Sequence, residues 1–218
     1  MEEKKVRRVM IATPTMDGRV DVLYADSLVQ SMRAGAAAGI DVSAVYLPGD
    51  ALLVRARNEL AAIAVKACVD DVVFIDSDIA WTPQGFMRVL MHDEPFVGAL
   101  YRQKSDNQVL VYKPMEGARV RDDGLLETRG VGFGFVRLRR DALLALWKRA
   151  AIYDDGKEGR MLFEVYVDRG QLIGEDIAVC RKWLKMRGKV YVDTVFTVAH
   201  TGPKLYTIQS ASGTLPEG

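Results

Sequence analysis

A doubly wound α/β fold is what this chain of 218 residues predicts, on three observations. Short apolar runs alternate with segments of helical period as far as Tyr101, which is the pattern of strand and helix laid in parallel layers. Glycines and capping residues punctuate the alternation where helices should stop and start. The third apolar run ends abruptly in two aspartates, and in open α/β sheets the ligand-bearing groups stand beyond the carboxyl ends of the strands.

Residues 6–12 read as a buried strand around VMIA, and 21–38 as a helix closed by Gly39. A second strand follows over 41–47, an alanine-rich helix over 52–68 and a third strand over 72–75. Thr82 as N-cap and Pro83 at the first helical position open a helix over 82–91, and 95–101 is again strand. After Tyr101 the rhythm changes to short strands over 109–112, 125–128 and 133–139, helices over 141–150 and 175–187, and a strand over 190–198. No repeat occurs, and the tail beyond Pro203 lacks periodicity. The length fits one domain with a full core.

With 49% hydrophobic and 27% charged residues the composition is that of a soluble globular protein. A formal net charge of +1 gives no overall footprint for nucleic acid or membrane. The basic clusters RLRR (137–140) and RKWLKMRGK (181–189) are expected as solvated faces. Cys68 and Cys180 fall inside predicted helices among apolar neighbours, which fits buried thiols in a reducing compartment. The initial apolar run is too short for a signal segment or a membrane span, so a cytoplasmic location is expected.

Asp76 and Asp78 share one face of an extended backbone. At about 4–7 Å and an effective dielectric of about 20 they repel by about 2–4 kcal/mol, so a compensating cation is expected. An aspartate after a buried strand can also be a turn residue or a helix cap. Here Thr82 and Pro83 already start the next helix, which favours a divalent metal at Asp76 and Asp78. Thr13, Pro14 and Thr15 after the first strand would share that rim. TPTMDG stands where GxGxxG would be, and no GxxxxGK[ST] occurs, which argues against ordinary dehydrogenases and P-loop enzymes.

Six short motifs then bear on function: ARNELA (56–61), VVFIDSDIAWTP (72–83), VGALY (97–101), GVGFGF (130–135), GED (174–176) and HTGPK (200–204). In this order and rough spacing the chain resembles the GT-A fold nucleotide-sugar glycosyltransferases, compact viral, phage and bacterial domains above all. The resemblance implies a Rossmann-like single domain with a mixed, mostly parallel central sheet. Its nucleotide-binding half would be 1–101, its acceptor-binding half 102–204 and its tail 205–218. It implies transfer of a hexosyl or pentosyl group from a nucleoside-diphosphate sugar, a UDP-sugar above all. The acceptor is left open between a hydroxyl on a glycan and one on a hydroxylated base of modified DNA.

The resemblance also assigns residues. Asp78 becomes a metal ligand, Asp76 a ribose contact or second ligand, and His200 a further ligand, a set that suits manganese better than magnesium. Ser77, Arg57 and Asn58 would reach the nucleotide, with Arg55 and Lys204 near its phosphates. Asp176 would be the general base, with Glu175 orienting the acceptor, and an in-line, inverting displacement follows. Each has a plainer reading: a hydrogen-bonded histidine at a strand end, acidic residues at a helix start, arginines on a solvent face. His92, at a helix end, is expected to complement the dipole, and the polar loop 153–160 is a lid or an inert loop. The rival functions are a haloacid-dehalogenase-like phosphatase, with Asp76 as nucleophile, and a non-catalytic nucleotide-binding module.

Overall fold

The computed structural model describes residues 6–105, 109–154, 158–202, 205 and 207. In chain order the elements are β1 (Arg7–Thr15), α1 (Val22–Ala37), β2 (Ile40–Pro48), α2 (Leu53–Ala67), β3 (Asp71–Ile75), β4 (Ile79–Ala80), α3 (Pro83–Met91) and β5 (Phe96–Leu100). There follow β6 (Tyr112–Pro114), β7 (Leu125–Val131), β8 (Phe135–Arg139), α4 (Arg140–Arg149), β9 (Ala151–Asp154) and β10 (Glu158–Met161). The last are β11 (Tyr166–Asp168), β12 (Gln171–Ile173), α5 (Glu175–Lys185), β13 (Val190–Thr197) and β14 (Ala199–His200).

Eight strands form the central sheet in the order β2-β1-β3-β8-β5-β13-β7-β6. Six of the eight run one way; β7 and β8 run against them. The α/β fold with a mixed, mostly parallel sheet is therefore the observed one. Strand alternation divides the apolar side chains between two layers. Met10, Ala12, Phe74, Val136 and Val192 pack under α2, α4 and α5 with Leu60, Leu143 and Val179. Val9, Ile11, Val73, Ile75 and Val97 pack under α1 and α3 with Tyr24, Leu28 and Phe86.

Local signals place most boundaries. Asp21 caps α1 by accepting from the Leu23 amide at 2.8 Å, and Thr82 caps α3 ahead of Pro83. Several expectations change. β1 continues through Thr13, Pro14 and Thr15 because each pairs with β2. The 109–112 strand shrinks to a bridge at Leu110 and the start of β6. Cys68 is exposed at the end of α2, where its φ of 54° turns the chain out of the helix; Cys180 is buried as expected.

Arg137 of the RLRR cluster is fully buried, not solvated: it donates to the Leu90 and His92 carbonyls at 3.1 Å each and to that of Glu94, 3.6 Å from Asp71. His92 caps the C-terminus of α3, and its Nε2 also pairs with Asp193 Oδ2 at 2.8 Å, beside Arg88 Nε at 2.6 Å. Of the polar 153–160 segment, 153–154 end β9 and 158–160 begin its antiparallel partner β10, and residues 155–157 lie outside the described residues. Among the described residues no helix is long and apolar enough to cross a membrane.

Asn58 shows how α2 is locked to the later half of the chain. Its Nδ2 donates to the Phe163 carbonyl at 2.9 Å and its Oδ1 accepts from the Phe163 amide at 2.8 Å, all buried. A side chain that closes a two-way bond with backbone is spent on folding. Asn58→Ala strands both Phe163 groups in an apolar surround, so urea unfolding should show a loss of about 2–4 kcal/mol; an unchanged midpoint would contradict this clamp.

Candidate active site

The carboxyl ends of β3, β5 and β13 lie along one edge of the central sheet, with β8 between β3 and β5, and the chemistry-bearing residues follow them. β3 stops at Ile75 and Asp76–Ser77–Asp78 turns the chain, with the Asp76 amide donating to the Gly134 carbonyl at 3.1 Å and the Ile79 amide to the Asp76 carbonyl at 3.1 Å. The Ser77 carbonyl accepts from the Asp21 amide at 2.9 Å, which ties the turn to α1. β4 then pairs with β14, His200 opposite Ile79. The Thr201 amide and hydroxyl both donate to the Asp78 carbonyl, at 2.7 and 2.9 Å. Backbone pairing thus delivers His200 to Asp78 from the far end of the sequence.

Arg57, on the buried face of α2, organises the second part. Its guanidinium is 3% exposed, donates Nη2 to Asp76 Oδ1 at 2.8 Å and Nη1 to Glu175 Oε1 at 2.5 Å, and sits 5.8 Å over the Phe133 ring. Glu175 opens α5, where its charge also suits the helix N-terminus. Asp176, next in the helix, is different. Burial, with Glu175 adding to it, pushes its carboxyl above the usual aspartate range against the Ile177 amide and Arg57, which pull it down.

Asp78 takes other partners: Lys104 Nζ on Oδ2, and His200 Nε2 at 3.5 Å from Oδ1. Burial raises its carboxyl, but His200 and Lys104 together hold it below the usual range. His200 Nδ1 lies 3.3 Å from the Arg102 carbonyl, which can only accept. Both ring nitrogens of His200 thus face acceptors, Nδ1 the Arg102 carbonyl and Nε2 the Asp78 carboxylate. The Asp78 oxygen and the imidazole nitrogen, 3.5 Å apart, are a pair of the kind that ligates divalent cations. It is not the three-residue set expected from the sequence: among the described residues no three His, Cys, Asp or Glu side chains gather to hold a metal, and Asp76 answers Arg57 instead. The repulsion between Asp76 and Asp78 is thus met within the chain, by Arg57 on one and Lys104 on the other.

The remaining expected residues divide clearly. Thr13, Pro14 and Thr15 are buried, and the Thr13 hydroxyl bonds Tyr24 at 2.5 Å, so these side chains stand under the rim and not in it. Arg55 is exposed and bonds Asp50 at 2.6 and 2.9 Å. Asn58 is the buried clamp described above, and Lys204 lies outside the described residues.

Two residues without an assignment prove central. Tyr101 accepts from the Gly134 amide at 3.0 Å and meets the His200 ring edge-on at 5.6 Å; its hydroxyl is raised above the ordinary phenol range by burial first and Asp76 second. A Cβ on Gly132 would fall 2.3 Å from the Tyr101 hydroxyl oxygen, and one on Gly134 2.7 Å from its ring, so these two glycines leave room for this ring. Lys104 is the other. Its only sequence signal is its position just past the fourth strand of the parallel set, where a cation faces the aspartates.

A cavity of about 640 Å³ opens at the opposite ends of the strands, between Arg7, Asp71, His92, Arg139 and Asp141. Its charges are mixed in sign, and none of the expected site residues lines it.

No known sequence family matches this chain, and no curated protein matches it. Among solved structures it is similar to A197 from STIV, at 15% identity and a TM-score of 0.58, over 97% of this chain and 99% of that one. It is similar to the catalytic domain of Drosophila β1,4-galactosyltransferase 7 in complex with xylobiose, at 10% identity and a TM-score of 0.51, over 94% of this chain and 72% of that one. A mutant of the same enzyme in complex with manganese, UDP-Gal and xylobiose matches at 10% identity and a TM-score of 0.50, over 94% and 72%. At such identities the likeness is one of shape, and the shape is that of the GT-A-type glycosyltransferases.

Proposed function

We propose that this chain is a metal-dependent glycosyltransferase that moves a sugar from a nucleoside-diphosphate donor, a UDP-sugar, to an acceptor hydroxyl on a glycan or on a hydroxylated base of modified DNA. The observation that carries the reading is the placement of His200 Nε2 3.5 Å from the Asp78 carboxylate at the strand ends. The fold agrees with it, and a neighbour of that fold is known with manganese and UDP-Gal.

Asp78 and His200 would hold the divalent ion, with manganese preferred over magnesium because one donor is an imidazole. When bound, such an ion supplies Lewis-acid stabilisation to the diphosphate leaving group. Lys104 and Asp78 are each about one-third exposed, at 34% and 38%, and a pair that open exchanges partners easily. Lys104 then becomes a point charge for the donor phosphates. Asp76 has its Oδ1 on Arg57, which leaves Oδ2 to accept from the donor's ribose. Ser77 lies in the same turn. As a phosphatase nucleophile Asp76 would be poorly served, since an ion pair with a buried guanidinium holds down the reactivity of its carboxylate.

Glu175 is committed to Arg57, so the acceptor hydroxyl's proton falls to Asp176. Its Oδ1 accepts from the Ile177 amide at 2.6 Å, and Oδ2 is the atom that takes the proton. Burial makes it a stronger base than a surface aspartate, in the sense that general-base catalysis requires. Glu175, through Oε2 and not the Oε1 that Arg57 holds, would orient the acceptor beside it, and displacement on the donor's anomeric carbon would be in line.

Two experiments test this reading. By calorimetry, UDP should bind at least tenfold more tightly with manganese than with chelator, and Asp78→Asn or His200→Ala should erase the difference. Equal affinity with and without metal would contradict the metal reading. For the base, Asp176→Asn should lower sugar transfer by about 10²–10⁴-fold with donor affinity unchanged. Because the folded-state pKa of Asp176 is raised, folding favours its protonated form. That stability is present below the ordinary aspartate pKa and is lost as pH rises through the folded value. Wild-type turnover should therefore fall in acid from above the ordinary aspartate range, and Asp176→Asn should be the more stable protein at neutral pH but not in acid. Full turnover in Asp176→Asn would remove it from catalysis.

A further inference from the structure

Beside the start of α5 lies a pocket of about 440 Å³, of a size that takes a small ligand. Lys113 of β6, Arg129 of β7 and Arg181 of α5 line it, with Ile173 and Ile177 as apolar surface and Gly174 at one end. None of its lining residues is acidic. In a chain with 30 basic and 29 acidic residues, three basic side chains around one concavity, of which only Arg181 is paired with a carboxylate, are a local concentration, not a reflection of overall charge.

The backbone is built to produce it. β6 and β7 pair Lys113 with Gly130 and Pro114 with Thr128, so Arg129 is the extra residue of a β-bulge. A bulge re-aims its side chain, and bulges recur beside active sites for that reason. Arg181 is fixed by Asp168 at 2.7 Å. The side chains of Lys113 and Arg129 are exposed, and neither forms a hydrogen bond or ion pair with another described residue. Two unengaged cations and one anchored cation face an apolar floor, an arrangement complementary to a ring with a C–H face and an anionic substituent.

Gly174, which lines this pocket, is followed directly in the chain by Glu175 and Asp176 at the start of α5. We infer that the pocket is the acceptor subsite and that the acceptor is an acidic sugar, one bearing a carboxylate or a phosphate, whose charge rests on Lys113, Arg129 and Arg181 while a hydroxyl reaches Asp176. This rests on the glycosyltransferase reading and narrows its acceptor to a glycan of stated charge. The apolar floor is what favours a sugar ring over the backbone of a nucleic acid.

The test uses the full chain and four probes: methyl glucoside, glucuronate, glucose 6-phosphate and a duplex oligonucleotide, each titrated by calorimetry, with UDP and manganese as a parallel titration. Glucuronate or glucose 6-phosphate should bind at least tenfold more tightly than methyl glucoside, and added salt should weaken that preference. Arg129→Ala and Lys113→Ala, both at exposed positions, should each lower the affinity for the acidic sugar by about tenfold and leave UDP binding unchanged. Stronger binding of glucuronate makes the substituent a carboxylate and stronger binding of glucose 6-phosphate a phosphate; either supports the inference. Equal binding of the neutral glucoside, or acidic-sugar binding indifferent to both substitutions, overturns it. Tighter, Arg129-dependent binding of the oligonucleotide overturns it in favour of a nucleic-acid acceptor. If UDP binds and acidic sugars do not, the pocket assignment alone falls. If acidic sugars bind through Arg129 and UDP does not, the transferase reading falls, and the acceptor role with it.

Discussion

A guanidinium taken out of water is costly unless carboxylates meet it with good geometry, and Arg57 has two: Asp76 at 2.8 Å and Glu175 at 2.5 Å. Asp76 follows β3 and Glu175 begins α5, so one buried charge joins the end of a central strand to the helix that carries Asp176. Losing one partner of a buried pair typically costs about 3–5 kcal/mol, since the other charge is left unmet. Arginine suits this post because its planar fork can hold two carboxylates at fixed angles, which an ammonium cannot do. The positions of Asp76, Glu175 and Asp176 therefore follow from one side chain on α2.

That fixed pair has a looser counterpart. Asp78 is partly open to solvent and shares Lys104 and His200, with His200 held in place by β14 and by the Arg102 carbonyl. Rigid and exchangeable charges thus stand a residue apart in the same turn. Arg57 neutralises one aspartate for good, while the other sits with cations that a ligand can replace. Tyr101, wedged against Gly132 and Gly134, packs on His200 and keeps the exchangeable part from drifting. The proposed binding of a cation and a diphosphate would need both kinds of support.

Much of this was legible in the sequence because it depends on local pattern. The apolar runs of β1, β3 and β5, the Thr82–Pro83 start of α3 and the acidic start of α5 are short-range signals, and they place the rim on which Asp76, Asp78 and Asp176 stand. What escaped depends on pairing across the chain. Thr13 to Thr15 read as loop because their strand partners in β2 lie far along the sequence. Arg137 reads as a surface charge until the Leu90, His92 and Glu94 carbonyls are seen around it. Asn58 reads as a ligand contact because nothing near it shows that Phe163 will claim both ends of its amide. For the same reason Arg57 and Lys104, which folding brings to Asp76 and Asp78, leave no local signal beside the two aspartates.

The central claim is that Asp78 and His200 together form the cation site of a donor-binding cleft, separate from the Arg57-bridged Asp76. Crystals grown with manganese chloride and UDP, measured at the manganese absorption edge, test it most directly. An anomalous peak bonded to an Asp78 oxygen and to His200 Nε2, with the UDP diphosphate as its other neighbour and the Arg57–Asp76 bond intact, is the predicted result. A peak elsewhere, or ordered UDP in the cleft with no manganese at these two residues, would contradict it.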